Sequence, residues 1–144
     1  MNFQLSNKDY FYIYSKSPRF CVDLWIEQYN RILLTKRLQM PEIGKYHFAG
    51  GRVRYGETVL NACKRIGKEE TGLKINQIYL KGYMEFMKEK QKNATIIHSI
   101  ALLFACDYSG QINDNSIWFN EDVIKLSKNI IHPIHYKYMS KYFK

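Results

Sequence analysis

Acidic side chains are scarce in this chain: 13 Asp and Glu stand against 22 Lys and Arg, a formal net charge of +9 over 144 residues. That sign suits an anionic partner, whether nucleic acid, an acidic surface or a small phosphorylated molecule. The lysines are scattered, however. Lys88, Lys90 and Lys92 read as a hairpin tip, and Lys137, Lys141 and Lys144 dot a last helix. No aromatic-plus-basic ribonucleoprotein pattern accompanies them, so nucleic acid is not an expected partner. Cysteine is scarce too, with 3 isolated residues, Cys21, Cys63 and Cys106. An odd set without metal-ligand spacing excludes a disulfide frame or zinc site. It fits small buried hydrophobes in a reducing compartment, so a cytoplasmic location is the default. No apolar run approaches the roughly 20 residues that cross a bilayer, so no transmembrane helix and no membrane partner are expected. The start, MNFQLSNKDYFYIY, lacks the basic and apolar regions of a signal peptide. Repeats, low-complexity tracts and linkers are absent as well, and residues 1–144 read as one domain with room for a core.

What is present concentrates in residues 51–73, GRVRYGETVLNACKRIGKEETGL. Glu57 follows Gly56 and opens a periodic run, where acids suit the first turn of a helix. Val59, Leu60, Cys63 and Ile66 recur at helical spacing, and Gly72 fits the left-handed position just past a helix end. At roughly 100° per residue, Glu70 falls on the side of Val59, Cys63 and Ile66. A carboxylate there must be paired, hydrogen-bonded or metal-bound, because burying an isolated charge is expensive. Glu69 flanks that face and Arg65 stands four residues before it, the spacing of a surface ion pair. Gly67 costs a helix interior about 1 kcal/mol relative to Ala, which predicts close approach of another backbone. Adjacent carboxylates after the Gly50-Gly51 turn, beside a basic loop, point to a divalent-metal and diphosphate site.

Elsewhere, Ser6 followed by Asp9 resembles a capping box and predicts a short helix over 7–15. Segments 20–27 and 31–35 read as a hairpin, 38–45 as a loop, and 46–49 as a short strand into the glycine turn. Segments 74–87 and 95–108 are two long strands around a polar tip, followed by a loop over 109–115 and a short strand over 117–119. Asn120 caps a helix over 121–126, and Pro133 opens a terminal helix over 133–143. Strands of mixed length with few helices, without regular βαβ alternation, argue for an α+β fold or an α/β/α sandwich.

Residues 51–73 also resemble the Nudix box, G-x5-E-x7-R-E-U-x-E-E-x-G-U with U apolar. Gly51, Glu57, Arg65, Glu69, Glu70, Gly72 and Leu73 match. Ile66 replaces the first helix glutamate, which in many such enzymes binds metal or activates water, and Gly67 replaces the next apolar residue. The resemblance implies a mixed-sheet Nudix sandwich. Residues 5–75 look further like the GDP-mannose mannosyl hydrolase subfamily. That branch also has an N-terminal helix, a hairpin ending Lys36-Arg37, an aromatic strand into Gly50-Gly51-Arg52-Val53, and no first helix glutamate.

The subfamily resemblance implies attack of water on the anomeric carbon of a nucleotide sugar, release of a nucleoside diphosphate, and a homodimer. By position, Glu70 and the Gly50 carbonyl would hold Mg²⁺ (Mn²⁺ as the alternative ion), with Glu69 recovering a ligand of ordinary Nudix enzymes. Arg37, Arg52 and Arg65 would neutralise the diphosphate or orient the carboxylates, Asp23 would contact the sugar or the leaving group's partners, and His98, which reads first as a hydrogen-bonded structural histidine, matches a substrate-side position. Ile112 and Asn113 occupy the branch's Gln-His pair, so its base is missing or Asp114 substitutes. His47, His132 and His135 read as structural. Two other functions compete: P–O cleavage of a nucleoside diphosphate derivative, and a catalytically weak nucleotide-sugar binder.

Overall fold

The computed structural model describes residues 4–142. Helix α1 (Asn7–Tyr14) starts at Ser6, whose hydroxyl accepts from the Asp9 N–H at 3.1 Å, and it buries no residue. Strands β1 (Arg19–Gln28) and β2 (Arg31–Lys36) form the expected hairpin. Its turn residues Tyr29 and Asn30 both have positive φ, 48° and 59°, the backbone a two-residue hairpin loop requires. The 46–49 segment is two strands rather than one, β3 (Tyr46–His47) and β4 (Ala49–Arg52). Helix α2 (Val59–Thr71) follows, then the long antiparallel pair β5 (Lys74–Lys90) and β6 (Ile96–Ser109). Lys88 and Lys90 therefore lie in β5 rather than in a hairpin tip. β7 (Ser116–Asn120), α3 (Glu121–Leu126), a 3-10 turn at Lys128–Ile130 and α4 (Pro133–Ser140) complete the described chain. The terminal helix is thus shorter than expected, and Phe143 and Lys144 lie outside the described residues.

The strand order is β3-β2-β1-β6-β5, with β4 also on β1 and β7 also on β2. β1 runs parallel to β6 and antiparallel to its other partners, so the sheet is mixed. Buried between two layers, β1 is apolar on both faces. Val22, Leu24 and Ile26 pack with Ala62, Cys63 and Ile66 of α2, while Cys21 and Trp25 pack with Met139 of α4. The α+β sandwich read from the sequence is the observed architecture. Among the described residues, no helix is long and apolar enough to cross a membrane. The three cysteines are free and buried, and burial pushes the thiols of Cys63 and Cys106 up to about 12.

Two glycine expectations change. Gly50 and Gly51 are not a turn but part of extended β4. Gly50 faces Asp23 in register, and the Asp23 carboxylate occupies the space a Cβ would take. At Gly67 the close neighbour is a side chain, not a backbone: Ile75 fills the place of a Cβ, with Leu24 Cδ1 3.5 Å from it. That contact seats α2 on the sheet, which explains a residue of poor helix propensity in its middle.

The placement of the site follows from one divergence. β1 and β2 pair only at the turn end, Glu27 with Ile32 and Gln28 with Arg31. Beyond it β1 takes β4 as partner while β2 takes β3 and β7. The two halves of the sheet splay, and the C-terminal end of α2 sits at the open mouth.

Candidate active site

That mouth is a cleft of about 310 Å³. Thr35, Lys36 and Arg37 line it from the end of β2, His47 from β3, Gly50 from β4, Glu69 and Glu70 from α2, and Asn113 from the loop before β7. Glu70, Glu69, Gly50 and Arg37 are thereby brought together from three separate stretches of sequence.

α2 begins two residues later than the periodicity predicts. Thr58 is the N-cap, its hydroxyl accepting from the Asn61 N–H at 3.1 Å, and Glu57 stands outside the helix. The Glu57 carboxylate folds back, accepting from the Arg54 N–H at 3.1 Å and from Arg65 Nε and Nη2 at 2.7 and 2.9 Å. This two-pronged, charge-assisted pairing is the geometry a guanidinium favours. Arg65 also donates to the Arg52 carbonyl at 2.9 Å and to Glu69 Oε2 at 3.2 Å. The guanidinium is fully engaged in holding β4, the β4–α2 loop and Glu69 in one arrangement. Of the two expected roles for Arg65, orienting carboxylates is the one the contacts support. The hydrogen bond from Arg65 holds the Glu57 carboxyl below the usual range.

Glu70 is different. Burial raises its pKa, and the neighbouring Glu69 charge adds to the shift. Its backbone carbonyl is latched by Thr35 Oγ1 at 3.4 Å and Asn113 Nδ2 at 3.0 Å. Asn113 additionally donates its backbone N–H to the Thr71 carbonyl at 2.8 Å. Its side-chain oxygen accepts from Ser116 Oγ at 2.8 Å and the Asn115 N–H at 3.2 Å. Asn113 is thus a structural latch on the last turn of α2.

Behind Gly50 lies a buried polar cluster. His135 Nδ1 accepts from the Phe48 N–H at 2.9 Å, so its proton sits on Nε2, 3.8 Å from Asp23 Oδ2. That separation is too long for a hydrogen bond. Asp23 Oδ2 is the buried side-chain atom without a partner among the described residues. Burial, reinforced by the charge of Glu89, raises the Asp23 carboxyl to about 8. Between about pH 4 and pH 8 the folded chain then keeps a proton the unfolded chain releases, so Asp23 makes stability fall as pH rises through that window. Asp23→Asn removes the effect. In metal-free buffer its melting temperature is expected to gain on the parent with rising pH, by about 5 °C at pH 8. A pH-independent difference in thermal melts would contradict this origin.

The other expected site residues are not in the cleft lining. Arg52 contributes its carbonyl to Arg65, while its own guanidinium reaches only the Val53 carbonyl at 3.5 Å. Asp114 is exposed. His98 is in β6, five residues along the strand from Leu103, which pairs with Asp23. At about 3.3 Å per residue that is roughly 16 Å from the Gly50 row. His47, read as structural, is buried at 8 % exposure but does line the cleft.

An α+β sandwich with an acidic helix end beside a glycine strand, in a cleft also lined by Lys36 and Arg37, is a site suited to phosphorylated ligands. Residues 17–141 match the NUDIX domain family, and the chain belongs to that family of hydrolases. An ADP-ribose pyrophosphatase from Methanocaldococcus jannaschii is 50% identical over 56 residues, 39% of this chain and 33% of that protein. The chain thus spans about a third of the length of that curated relative. A MutT Nudix hydrolase structure from Burkholderia pseudomallei superposes with a TM-score of 0.65 at 25% identity, covering 76% of this chain and 86% of that one. A Nudix hydrolase from Nitrosomonas europaea has the same fold, with a TM-score of 0.73 at 20% identity over 88% of this chain and 89% of that one.

Proposed function

We propose that this protein hydrolyses the diphosphate bridge of a nucleoside diphosphate joined to a second group, such as a sugar, with Mg²⁺ as cofactor and Mn²⁺ as the alternative ion. The observation that carries this reading is Glu69 and Glu70 lining, together with Gly50, a cleft that Lys36 and Arg37 also line. Two carboxylates and a carbonyl are hard oxygen donors, and Mg²⁺ is held by few protein ligands because it keeps much of its water. Among the described residues no three His, Cys, Asp or Glu side chains cluster as a metal site, so the ion would rest on two carboxylates, a carbonyl and its own water. Glu70, Glu69 and the Gly50 carbonyl would hold the ion, which would offset charge on the diphosphate oxygens. Arg37 would pair those oxygens from the other wall, and Arg65 would keep Glu69 in place. The name of the Methanocaldococcus relative supports the same bond.

Attack on the anomeric carbon of a GDP-mannose-like sugar is the second reading. It is favoured by Ile66, 1 % exposed in the core where other Nudix enzymes carry a glutamate, and by Arg37 in the cleft. The Asn113 latch weighs against it, since the base expected at that position is absent. Turnover of ADP-ribose, GDP-mannose and related compounds with Mg²⁺ in ¹⁸O water separates the two. Label in phosphate is expected. Label in released sugar would replace the first reading with the second, and binding without turnover would make the protein a nucleotide-sugar binder. The homodimer implied by the subfamily resemblance is checked by light scattering, where a monomer would count against it. The reduced, buried thiols agree with a cytoplasmic location.

A further inference from the structure

We propose that His47 is the proton acceptor that activates the attacking water, an inference that rests on the hydrolase reading above. The positions from which a base was expected are occupied otherwise. Ile66 is core, and the Asn113 amide is fully engaged in its latch. Asp114 is exposed and outside the cleft lining. Glu57 and Glu69 are both held by Arg65. Among the cleft-lining residues that leaves one imidazole.

Three histidines cluster behind β4, with ring centroids 4.8 Å apart for His132 and His135 and 5.6 Å for His47 and His135. Two of them are committed to the backbone. His132 Nδ1 accepts from the Ile134 N–H at 3.2 Å and His135 Nδ1 from the Phe48 N–H at 2.9 Å. His47 alone of the three lines the cleft, and neither of its ring nitrogens hydrogen-bonds to another described residue. Buried groups of that polarity normally have a partner. Here the open side is the cleft shared with Gly50, Glu69 and Glu70, so water is the available partner.

The surroundings keep the ring unprotonated. Burial, then the charges of Arg37 and His132, push it well below the usual histidine range. Arg37 acts on the ring from the end of β2 and His132 and His135 from the start of α4, while Asp23 on β1 stands 3.8 Å from His135 and Glu89 on β5 3.4 Å from His132. A neutral imidazole is therefore present at every pH near neutrality. As the water oxygen bonds to phosphorus, its proton passes to the free His47 nitrogen. The bridging P–O bond breaks, and its electron pair leaves on the departing phosphate oxygen. His47 then returns the proton to solvent, so the sum is diphosphate plus water to two phosphates.

Full-length His47→Gln and His47→Ala variants are compared with the parent on the best substrate of the panel. A general base is worth about 10²- to 10⁴-fold, so kcat is expected to fall within that range while KM and the Mg²⁺ requirement stay near the parent's. Added imidazole should restore part of the turnover of His47→Ala, a readout that a purely structural role does not move. Parent-like kcat, or a loss that follows KM or melting temperature without imidazole rescue, overturns the role of His47 and leaves the hydrolase reading standing. An inactive parent overturns both.

Discussion

Glu70→Gln is expected to lose about 10³-fold in kcat, some 4 kcal/mol of barrier, with a melting temperature no lower than the parent's. The substitution keeps the shape of the side chain and removes only its charge. Among the described residues Glu70 carries no side-chain salt bridge, and its contribution to the fold runs through its backbone carbonyl, held by Thr35 and Asn113. The fold therefore has little to lose. The cleft loses the carboxylate whose pKa burial has already raised, which is the group with most to gain from a bound cation. Steady-state kinetics over a Mg²⁺ titration, with thermal melts alongside, make the check. Parent-like turnover at every Mg²⁺ concentration would remove Glu70 from the metal site.

Arg65→Ala should do the reverse, damaging fold and activity together. Arg65 and Glu57 have side chains only 16% and 9% exposed, so the deletion leaves a mostly buried carboxylate with the Arg54 N–H but no cation to pair it. Breaking such a pair costs more than making it gains, because the remaining charge is stranded. A loss of about 2 kcal/mol, or about 5 °C in melting temperature, is expected. Turnover should fall at least about tenfold, since Glu69 loses the group that holds it. Arg65→Lys should recover little, because one ammonium cannot replace a fork that reaches Glu57, Glu69 and the Arg52 carbonyl at once. A lysine variant with parent stability would show that charge alone, not the planar fork, holds the loop.

Local signals in the chain were sufficient wherever a few adjacent residues decide the backbone. Asn120 caps α3 as its side chain predicts, accepting from the Val123 N–H at 2.8 Å. Gly72 closes α2 with φ 82°. Glu70 emerges half-buried at the cleft because helical periodicity alone places it there. The residues whose surroundings the sequence does not show share a different cause. Glu57 looks like a first-turn acid, but a guanidinium eight residues on outcompetes the helix start. Asn113 counts back to a catalytic position, yet its amide answers a carbonyl 43 residues away. His47 sits in a two-residue strand too short for alternation to mean anything, and it meets the cleft only because two half-sheets part there. His98 matches a family position along the chain but lies along the strand from the row that holds Gly50. Contacts between distant segments are not written in any local pattern.

The divergence of β1 and β2 from the Tyr29-Asn30 turn makes the cleft the gap of a pair of tongs. One jaw carries Gly50 and the glutamates of α2, and the other carries Arg37 and His47. The latch from Asn113 and Thr35 to the end of α2 ties the jaws together at the tip. How wide the substrate may be is therefore governed at two places that touch no substrate, the apex turn and the tip latch. Relatives of one fold can change what they admit by altering either place, while every chemical group stays where it is.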